Sequence, residues 1–215
     1  MLGPVEFKIL DHDIPYYGPE LRPHWILENT GHYGSALVAF RGPCDVKTGE
    51  LVDWEDRLAH DSIKANRMLH IIGEFFGISL ESGVFCQRLL MVWAERLLNQ
   101  KNLVDGNGQK FRVVRKGDDL YFVPFHVLFG QELAPSTGAR KLSVSIATAS
   151  SVSVVIHWGM NIDSTGAPST VDACGFSDFL WSETQILDFA KELLTQYIGE
   201  LQEIRIAQCK VRPVH

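Results

Sequence analysis

The sequence predicts an α+β fold in which a mixed, largely antiparallel sheet packs against helices. Three observations support this class. Strand-like alternating segments lie before, between and after the segments with helical periodicity, without a strict strand-helix alternation. A turn at residues 105–110 favours hairpins over long crossover connections. The 215 residues are 46% apolar and 21% charged, so we expect an ordered core and a single domain over residues 1–215.

Alternation and short apolar runs predict the strands. Residues 5–10 alternate weakly and indicate a first strand, and residues 24–29 form a short strand or a turn. The apolar run at residues 35–42 indicates a buried strand that ends in the pair Arg41 and Gly42, after which a loop is expected. Further strands are expected at residues 111–115, 117–122, 141–148, 151–158 and 204–212.

Three helices are predicted from apolar residues at three- and four-residue steps. Residues 65–76 carry such a stripe, which predicts a helix that is capped by Asp61 or Ser62 and ended by Gly77. A second helix is expected at about residues 84–100. The predicted apolar faces are Phe85, Leu89, Val92 and Leu97 for this helix, and Ile186, Phe189, Leu193, Tyr197 and Leu201 for a last helix that Ser182 caps.

The strand at residues 141–148 alternates cleanly, so its polar and apolar side chains should lie on opposite faces. The polar face consists of Lys141, Ser143 and Ser145, and the apolar face of Leu142, Val144 and Ile146. Residues 124–139 are predicted to be an insertion between the two strands of a hairpin. The apolar tip of this insertion, which is either a lid or a contact surface, contains Phe125, Val127, Leu128 and Phe129.

Composition and missing motifs narrow the function. A protein with a net charge of −6 is not attracted to the phosphates of nucleic acids, so no nucleic acid partner is expected. The four cysteines form no CxxC pair, which disfavours a zinc ribbon and indicates free thiols in a reducing cytoplasm. A signal-peptide pattern and a run of ~18 apolar residues are absent, so we expect a cytoplasmic location and no membrane partner. The sequence has no GxGxxG, P-loop or HExxH motif. Nicotinamide-dependent enzymes, P-loop nucleotide-binding proteins and zinc proteases of the zincin type are therefore disfavoured.

Lys141, His157 and Cys174 place a cation, a candidate base and a candidate nucleophile around one predicted sheet. Lys141 is either a solvated strand end or a cation that holds a carboxylate, phosphate or acyl oxygen, with the small Ser143 beside it leaving room for a ligand. His157 is either a hydrogen-bonded core histidine or a base. Cys174 is either an incidental thiol or a nucleophile whose pKa a neighbouring cation or base would have to lower.

Acidic side chains and one arginine complete the candidate set. Asp119 either belongs to a solvated turn or directs its carboxylate at a ligand. Arg41 with Gly42 could bind an anion in a loop. The acids near residues 53–56 fit a solvated helix start, and no metal is expected. The weaker alternative is a magnesium site formed by Asp53, Glu55, Asp56 and Asp118.

Three parts of the chain carry a resemblance to a known family. They are FRGPCDV at residues 40–46, LVDWED at 51–56, and the series GDDLYF, RKLSVSIAT, IHWGMNI and VDACGF within 117–176. Together they resemble the family called domain of unknown function 366, and the resemblance covers most of the chain. That family has no assigned activity. Its fold is grouped with the class II synthetases and with the biotin and lipoate protein ligases, which implies an α+β ligase-like fold here.

The resemblance also implies roles for particular residues. Biotin ligases carry a similar lysine strand whose lysine contacts the acyl-adenylate, and Lys141 falls at that lysine, with Asp119 at an aspartate of the same segment. Octanoyltransferases of the lipoyl type carry a lysine strand, then a histidine and an asparagine, then an acyl-thioester cysteine. Lys141, His157, Asn161 and Cys174 follow in that order. The glycine-rich ligase loop is absent from this sequence.

Two hypotheses follow. The first is an acyltransferase or ligase that binds a small carboxylic acid or an acyl carrier and transfers the acyl group to an amine or thiol, with ATP and magnesium or an acyl thioester as the implied co-substrate. Lys141 would stabilise the acyl oxygen, Arg41 would hold an anionic end, and His157 or Asp119 would orient the acceptor. Cys174 would carry a transient acyl group. The second is a non-catalytic small-molecule or partner-binding module that has lost the nucleotide loop. An oligomer is compatible with both.

Overall fold

The computed structural model describes residues 3–127 and 137–214. Its strands are β1 (Val5–Asp13), β2 (Ser35–Val46), β3 (Ile63–Phe76), β4 (Phe111–Lys116), β5 (Asp119–Pro124), β6 (Arg140–Lys141), β7 (Ser143–Ala149) and β8 (Ser153–Asp163). Its helices are α1 (Trp25–Thr30), α2 (Trp54–Leu58), α3 (Leu80–Asn99) and α4 (Glu183–Cys209), with short 3-10 turns at Thr48–Glu50 and Phe176–Phe179.

The strands form two sheets. The larger sheet has the order β1-β2-β3-β8-β7, with β1 parallel to β2 and every other pair antiparallel. The smaller sheet has the order β4-β5-β6 and is antiparallel. The predicted α+β class with a mixed, largely antiparallel sheet is therefore confirmed. Among the described residues, no helix combines the length and the apolar character needed to cross a membrane.

The prediction of a helix at residues 65–76 is wrong, because this segment is β3, the central strand of the larger sheet. Both faces of β3 are covered, so its residues from Met68 to Phe75 are all buried. A nearly continuous apolar run of this kind contains three- and four-residue spacings by chance and cannot be distinguished from a buried helix by periodicity. Gly77 adopts a φ of +74° and turns the chain after the strand rather than ending a helix.

Two shorter segments also differ from their predictions. Residues 25–30 form α1, which buries Trp25 and Ile26. Residues 204–209 continue α4 instead of forming a closing strand. The strand at residues 35–42 is confirmed but extends to Val46, so the predicted loop after Gly42 is part of β2.

The predicted helix at residues 84–100 is confirmed as α3. Of its predicted apolar face, Leu97 is buried and Leu89 packs against the core, but the other two residues are exposed. Phe85 is 66% exposed and Val92 43% exposed. The helix packs against β7, β8, β4 and α4 at once, and these contacts select a different stripe. The larger residues of that stripe are Gln87, Leu90, Met91, Ala94, Leu97 and Leu98. The last helix is confirmed as α4, with the predicted Ser182 cap and all five stripe residues buried.

The larger sheet has two different faces. One face belongs to the main apolar core with α3 and α4. The opposite face, called the site face below, carries alternate residues of the four strands β2, β3, β8 and β7, in the order that the pairing dictates. On β3 and β8 the site face includes Met68, His70, His157, Gly159 and Asn161.

The predicted division of the strand at 141–148 is not the observed one. Lys141 belongs to β6 and pairs with Tyr121, whereas Ser143 begins β7 and pairs with Met160 on β8. Leu142 lies between the two strands and is fully buried. This break shifts the alternation of side-chain directions by one residue. Lys141 therefore lines the same surface cavity as Val144 and Ile146. Ser145 accepts a hydrogen bond from Gln87 of α3.

The insertion predicted at residues 124–139 lies largely outside the described residues, and so do Leu128 and Phe129 of its apolar tip. The flanking strands β5 and β6 pair antiparallel. Phe125 is 64% exposed and Val127 is 5% exposed.

Candidate functional site

Two adjacent hollows open on the site face. The acidic hollow has a volume of about 150 Å3, and the neutral hollow has a volume of about 130 Å3. Their shared wall consists of Asp56, Ile63, Lys141 and Val144. The acidic hollow continues along His157, Tyr16 and the carboxylates described below. The neutral hollow continues along Lys64, Asp61, Asn161 and Thr170.

Lys141 lies at the junction of the two hollows. Its Nζ is 2.8 Å from Asp119 Oδ2, and the two side chains are 27% and 22% exposed. Burial opposes the charge on Lys141, but the Asp119 carboxylate outweighs it, so the pKa of the lysine is raised. Burial raises the pKa of Asp119 although Lys141 lowers it. The lysine is therefore a fixed, partly desolvated cation.

Five carboxylates surround this single lysine in the acidic hollow: those of Glu50, Asp53, Asp56, Asp118 and Asp119. Asp53 caps α2 and accepts hydrogen bonds from two backbone N–H groups. Asp118 accepts from Gln87 Nε2 at 3.2 Å and lies 3.5 Å from Arg88 Nη2. Burial and the Asp53 charge raise the pKa of Asp56. The hollow therefore carries an excess of negative charge.

His157, which lines the acidic hollow, is paired with the buried His70. His70 Nδ1 is 3.0 Å from His157 Nε2, and His70 Nε2 is 3.2 Å from the carbonyl oxygen of Gly42. The Tyr16 ring stacks on His157 with 3.8 Å between ring centroids. Burial lowers the pKa of His70 to about 4. Burial, together with the neighbouring His70, lowers the pKa of His157 well below its usual value. Both rings are therefore neutral near pH 7.

The geometry fixes which nitrogen of each ring carries a proton. A carbonyl oxygen can only accept, so His70 Nε2 must donate to Gly42. In the neutral ring, His70 Nδ1 then has a lone pair, and His157 Nε2 must donate to it. His157 Nδ1 is left with a lone pair, and among the described residues the ring forms its one hydrogen bond through Nε2. His157, which lines the acidic hollow, thus carries a free hydrogen-bond acceptor.

Backbone contacts hold Tyr16 over this pair. Ile14 N donates to Arg41 O at 2.8 Å, and Tyr16 N donates to Pro43 O at 2.9 Å. The chain after β1 therefore runs directly along β2. A β-carbon at Gly42 would lie 1.9 Å from the carbonyl oxygen of Ile14, so only glycine permits this approach.

Cys174 does not face either hollow. Its side chain is fully buried in the main core. Its Sγ lies 3.5 Å and 3.6 Å from the carbonyl oxygens of Arg140 and Lys141. Burial raises the pKa of this thiol, with Arg140 acting against that change. A nucleophilic cysteine needs the opposite environment, because the thiolate is the reactive form.

We expect Cys174 to be unreactive in the folded protein. With Ellman's reagent under native conditions, the exposed Cys209 should react first and the half-buried Cys86 more slowly. Burial raises the pKa of Cys44 to about 12, so Cys44 and Cys174 should react only after denaturation. The control variant Cys209→Ser should lose the fast phase. A fast phase that disappears in Cys174→Ala would contradict the expectation.

Arg41 lies on the face of the larger sheet opposite to the site face. Its Nη1 is 2.7 Å from Glu183 Oε2, and its Nε is 3.7 Å from Asp13 Oδ1. Arg67 binds the same two carboxylates at 2.6 Å and 3.1 Å. Arg41 therefore joins β2 to the start of α4 and does not line a hollow.

The other predicted site residues divide into two groups. Lys141, His157 and Asp119 meet at the acidic hollow, together with Asp53, Asp56 and Asp118. Ser143 and Asn161 touch the neutral hollow, but their polar groups also hold the backbone. Ser143 Oγ accepts from Leu120 N at 2.9 Å, and Asn161 Nδ2 donates to Cys174 O at 3.0 Å. Gly42 contributes its carbonyl to His70, and Glu55 is exposed outside both hollows.

Sequence reasoning missed Tyr16 and His70. Tyr16 follows a proline in an irregular segment, where nothing indicates its partner. His70 lies in residues 65–76, where the spacing of apolar residues predicts a helix. Interpreted as a strand, the same segment places Met68, His70, Ile72 and Glu74 on one face. That alternation was the available signal.

The residues present do not fit ATP with magnesium in the acidic hollow. A triphosphate there would face five carboxylates and one lysine that is already paired. In the described part of the chain, no three His, Cys, Asp or Glu side chains are arranged to hold a metal ion. The alternative set of Asp53, Glu55, Asp56 and Asp118 is therefore not brought together as a ligand cluster.

This arrangement of a mixed sheet, with the long helices α3 and α4 on one face and the hollows on the other, is an α+β fold of the biotin protein ligase type. The biotin protein ligase of Aquifex aeolicus in complex with biotin and ATP matches 92% of this chain and 72% of that chain, with a TM-score of 0.51 and 12% identity. This likeness shows the fold alone.

Nearer relatives define the family. A protein of unknown function from Pyrococcus horikoshi matches 98% of this chain and 100% of that chain, with a TM-score of 0.79 and 34% identity. An uncharacterized protein of Methanocaldococcus jannaschii is 27% identical over 206 residues, which cover 94% of this chain and 81% of that protein. Residues 5–212 match the family described as Domain of unknown function (DUF366). The chain belongs to this family, as its sequence motifs indicated.

Proposed function

We propose that this protein binds a small carboxylic acid, or an activated acyl derivative of it, and transfers the acyl group to an amine or thiol. The observation that carries the proposal is the position of Lys141, a partly desolvated cation on the wall between two hollows. A lysine in this environment can bind a carboxylate or stabilise the negative charge that develops on an acyl oxygen.

The charge of the walls favours the neutral hollow for the anionic end of the ligand. Lys64 and Lys141 balance Asp56 and Asp61 there, and Asn161 adds a polar side chain. The acidic hollow would repel a second negative charge. The carboxylate or acyl oxygen would therefore bind on the neutral side of Lys141.

The transfer step requires no covalent enzyme intermediate. With an acyl thioester as donor, the acceptor amine would form a C–N bond to the carbonyl carbon while the C–S bond breaks. The proton lost by the amine would pass to the departing thiolate. Lys141 would stabilise the oxyanion, and Asp119 beside it would orient the acceptor. Cys174 takes no part in this route, because its thiol is buried and its pKa is raised.

A non-catalytic binding module is the second candidate. The burial of Cys174 favours it, because this removes the nucleophile that a thioester mechanism would use. The two candidates share the same ligand pocket and differ in turnover. Incubation with hexanoyl coenzyme A and hydroxylamine separates them: an enzyme releases coenzyme A faster than the uncatalysed reaction, whereas a binding module does not.

Replacement of Lys141 by methionine should weaken the binding of carboxylates while roughly keeping the length of the side chain. The affinity for hexanoate and for hexanoyl coenzyme A is measured by calorimetric titration. Both ligands should bind at least about tenfold more weakly to Lys141→Met than to the wild type, because a charged hydrogen bond is lost. Equal affinity in both proteins would refute the proposal.

Two further variants control for folding. Lys191→Met removes a lysine from the exposed side of α4 and should bind like the wild type. The double variant Lys141→Met with Asp119→Asn removes the unpaired carboxylate that the single change leaves behind. It should recover stability without recovering binding.

A further inference from the structure

The acidic hollow presents hydrogen-bond acceptors that lack donors. The Asp56 carboxylate, which lies on the wall shared by both hollows, has only charge interactions with its surroundings and no hydrogen bond among the described residues. His157 is 3% exposed and lines the same hollow, and its Nδ1 lone pair has no partner in the described part of the chain. These two groups come from different elements, α2 and β8.

A ligand that fills this hollow must satisfy these acceptors. Covering a carboxylate and a buried imidazole lone pair with an apolar or acceptor group would leave both unsatisfied, which costs binding free energy. A hydrogen-bond donor with a positive charge satisfies both and also offsets the excess of carboxylates. A protonated amine has these properties.

We propose that the ligand is an amino carboxylic acid, or an acyl derivative of one, whose ammonium group binds in the acidic hollow between the Asp56 carboxylate and His157 Nδ1. The carboxyl group of the ligand binds to Lys141, and this half of the assignment rests on the proposed function. A molecule of a few carbons is sufficient to reach both ends, because Lys141 and Asp56 lie on the wall that the two hollows share. The volume of about 150 Å3 is several times the ~10–15 Å3 that one water needs.

Matched six-carbon probes test the assignment. Calorimetric titration at pH 7 compares hexanoate, 2-aminohexanoate, 6-aminohexanoate and hexylamine, which together separate the two charged ends and the two positions of the amine. At least one amino acid should bind about tenfold or more tightly than hexanoate, since a charge-assisted hydrogen bond is gained. Asp56→Asn should remove this gain. Asp188→Asn, which deletes an exposed carboxylate on α4, should retain it.

The outcomes separate this inference from the proposed function. If hexanoate binds in a Lys141-dependent way and neither amino acid binds more tightly, the amine site is refuted while carboxylate binding stands. If hexylamine binds in an Asp56-dependent way and no carboxylate binds, the amine site is supported and the proposed function is refuted. If the amino acids bind more tightly to the wild type and to Asp56→Asn alike, the assignment to Asp56 is overturned. Failure of all four probes overturns both proposals.

Discussion

Lowering the pH from 7 to 4.5 is expected to destabilise the folded protein because His70 and His157 are buried as neutral rings. In the unfolded chain a histidine takes up a proton below about pH 6.5. In the folded protein burial lowers the pKa of His70 to about 4. The stabilisation is thus fully present above about pH 6.5 and is lost as the pH falls towards 4. Linkage assigns roughly 2–3 kcal/mol of this loss to His70, and His157 changes in the same direction.

Urea unfolding, followed by circular dichroism between pH 7 and pH 4.5, measures this loss. His157→Gln removes one of the two buried groups, so its free energy of unfolding should fall less steeply with decreasing pH than that of the wild type. His126→Gln changes an exposed histidine and should leave the slope unchanged. The carboxylates are the same in all three proteins, so differences between the slopes come from the histidines. Identical slopes in wild type and His157→Gln would show that the pair does not titrate as described.

Gly42→Ala is expected to be the most damaging single methyl addition near the site. The new β-carbon would lie 1.9 Å from the carbonyl oxygen of Ile14 and 2.6 Å from its carbonyl carbon. These are backbone atoms, so no side-chain rotation relieves the contact. Ile14 and Tyr16 would have to move away from β2, and Tyr16 would lose its stacking on His157. Overpacking a core costs 1–3 kcal/mol, and a backbone collision should cost about 3 kcal/mol or more.

Gly49→Ala is the matched control for this variant. A β-carbon at Gly49 meets no atom within 4 Å, and its φ is not positive. Its free energy of unfolding in urea should change by less than about 0.5 kcal/mol. A Gly42→Ala protein as stable as Gly49→Ala would show that the chain after β1 does not approach β2 as closely as described.

Local chemistry made part of this fold predictable. Strands β7 and β8 were recognised from the sequence, although the break between Lys141 and Ser143 was not, and the Ser182 cap with its apolar stripe located α4. The central strand was not recognised, because β3 is covered on both faces and loses the alternation that identifies a strand. The face of α3 was partly misassigned because several neighbours, rather than one, determine which of its residues are buried.

Parts of the candidate site were also predictable from the sequence, and other parts were not. The family resemblance is what grouped Lys141, Asp119 and His157, and all three line the acidic hollow. The burial of Cys174 was not predictable, because a cysteine beside a glycine gives no indication of its depth. The role of Arg41 depends on Glu183, which is 142 positions away along the chain. Contacts of this kind come from tertiary packing, and no local pattern encodes them.

The wall that carries Asp56 differs from the rest of the pocket in how it is anchored. Helix α2 buries none of its side chains, and Trp54 and Leu58 are 69% and 74% exposed. Segments with few buried contacts open at a low free-energy cost, whereas β8, in which residues 153–162 are all buried, should open only at a higher cost. The recess therefore has one compliant side and one rigid side. We therefore expect occupants of different lengths to be accommodated by displacement of this single short helix, without any repacking of the protein interior.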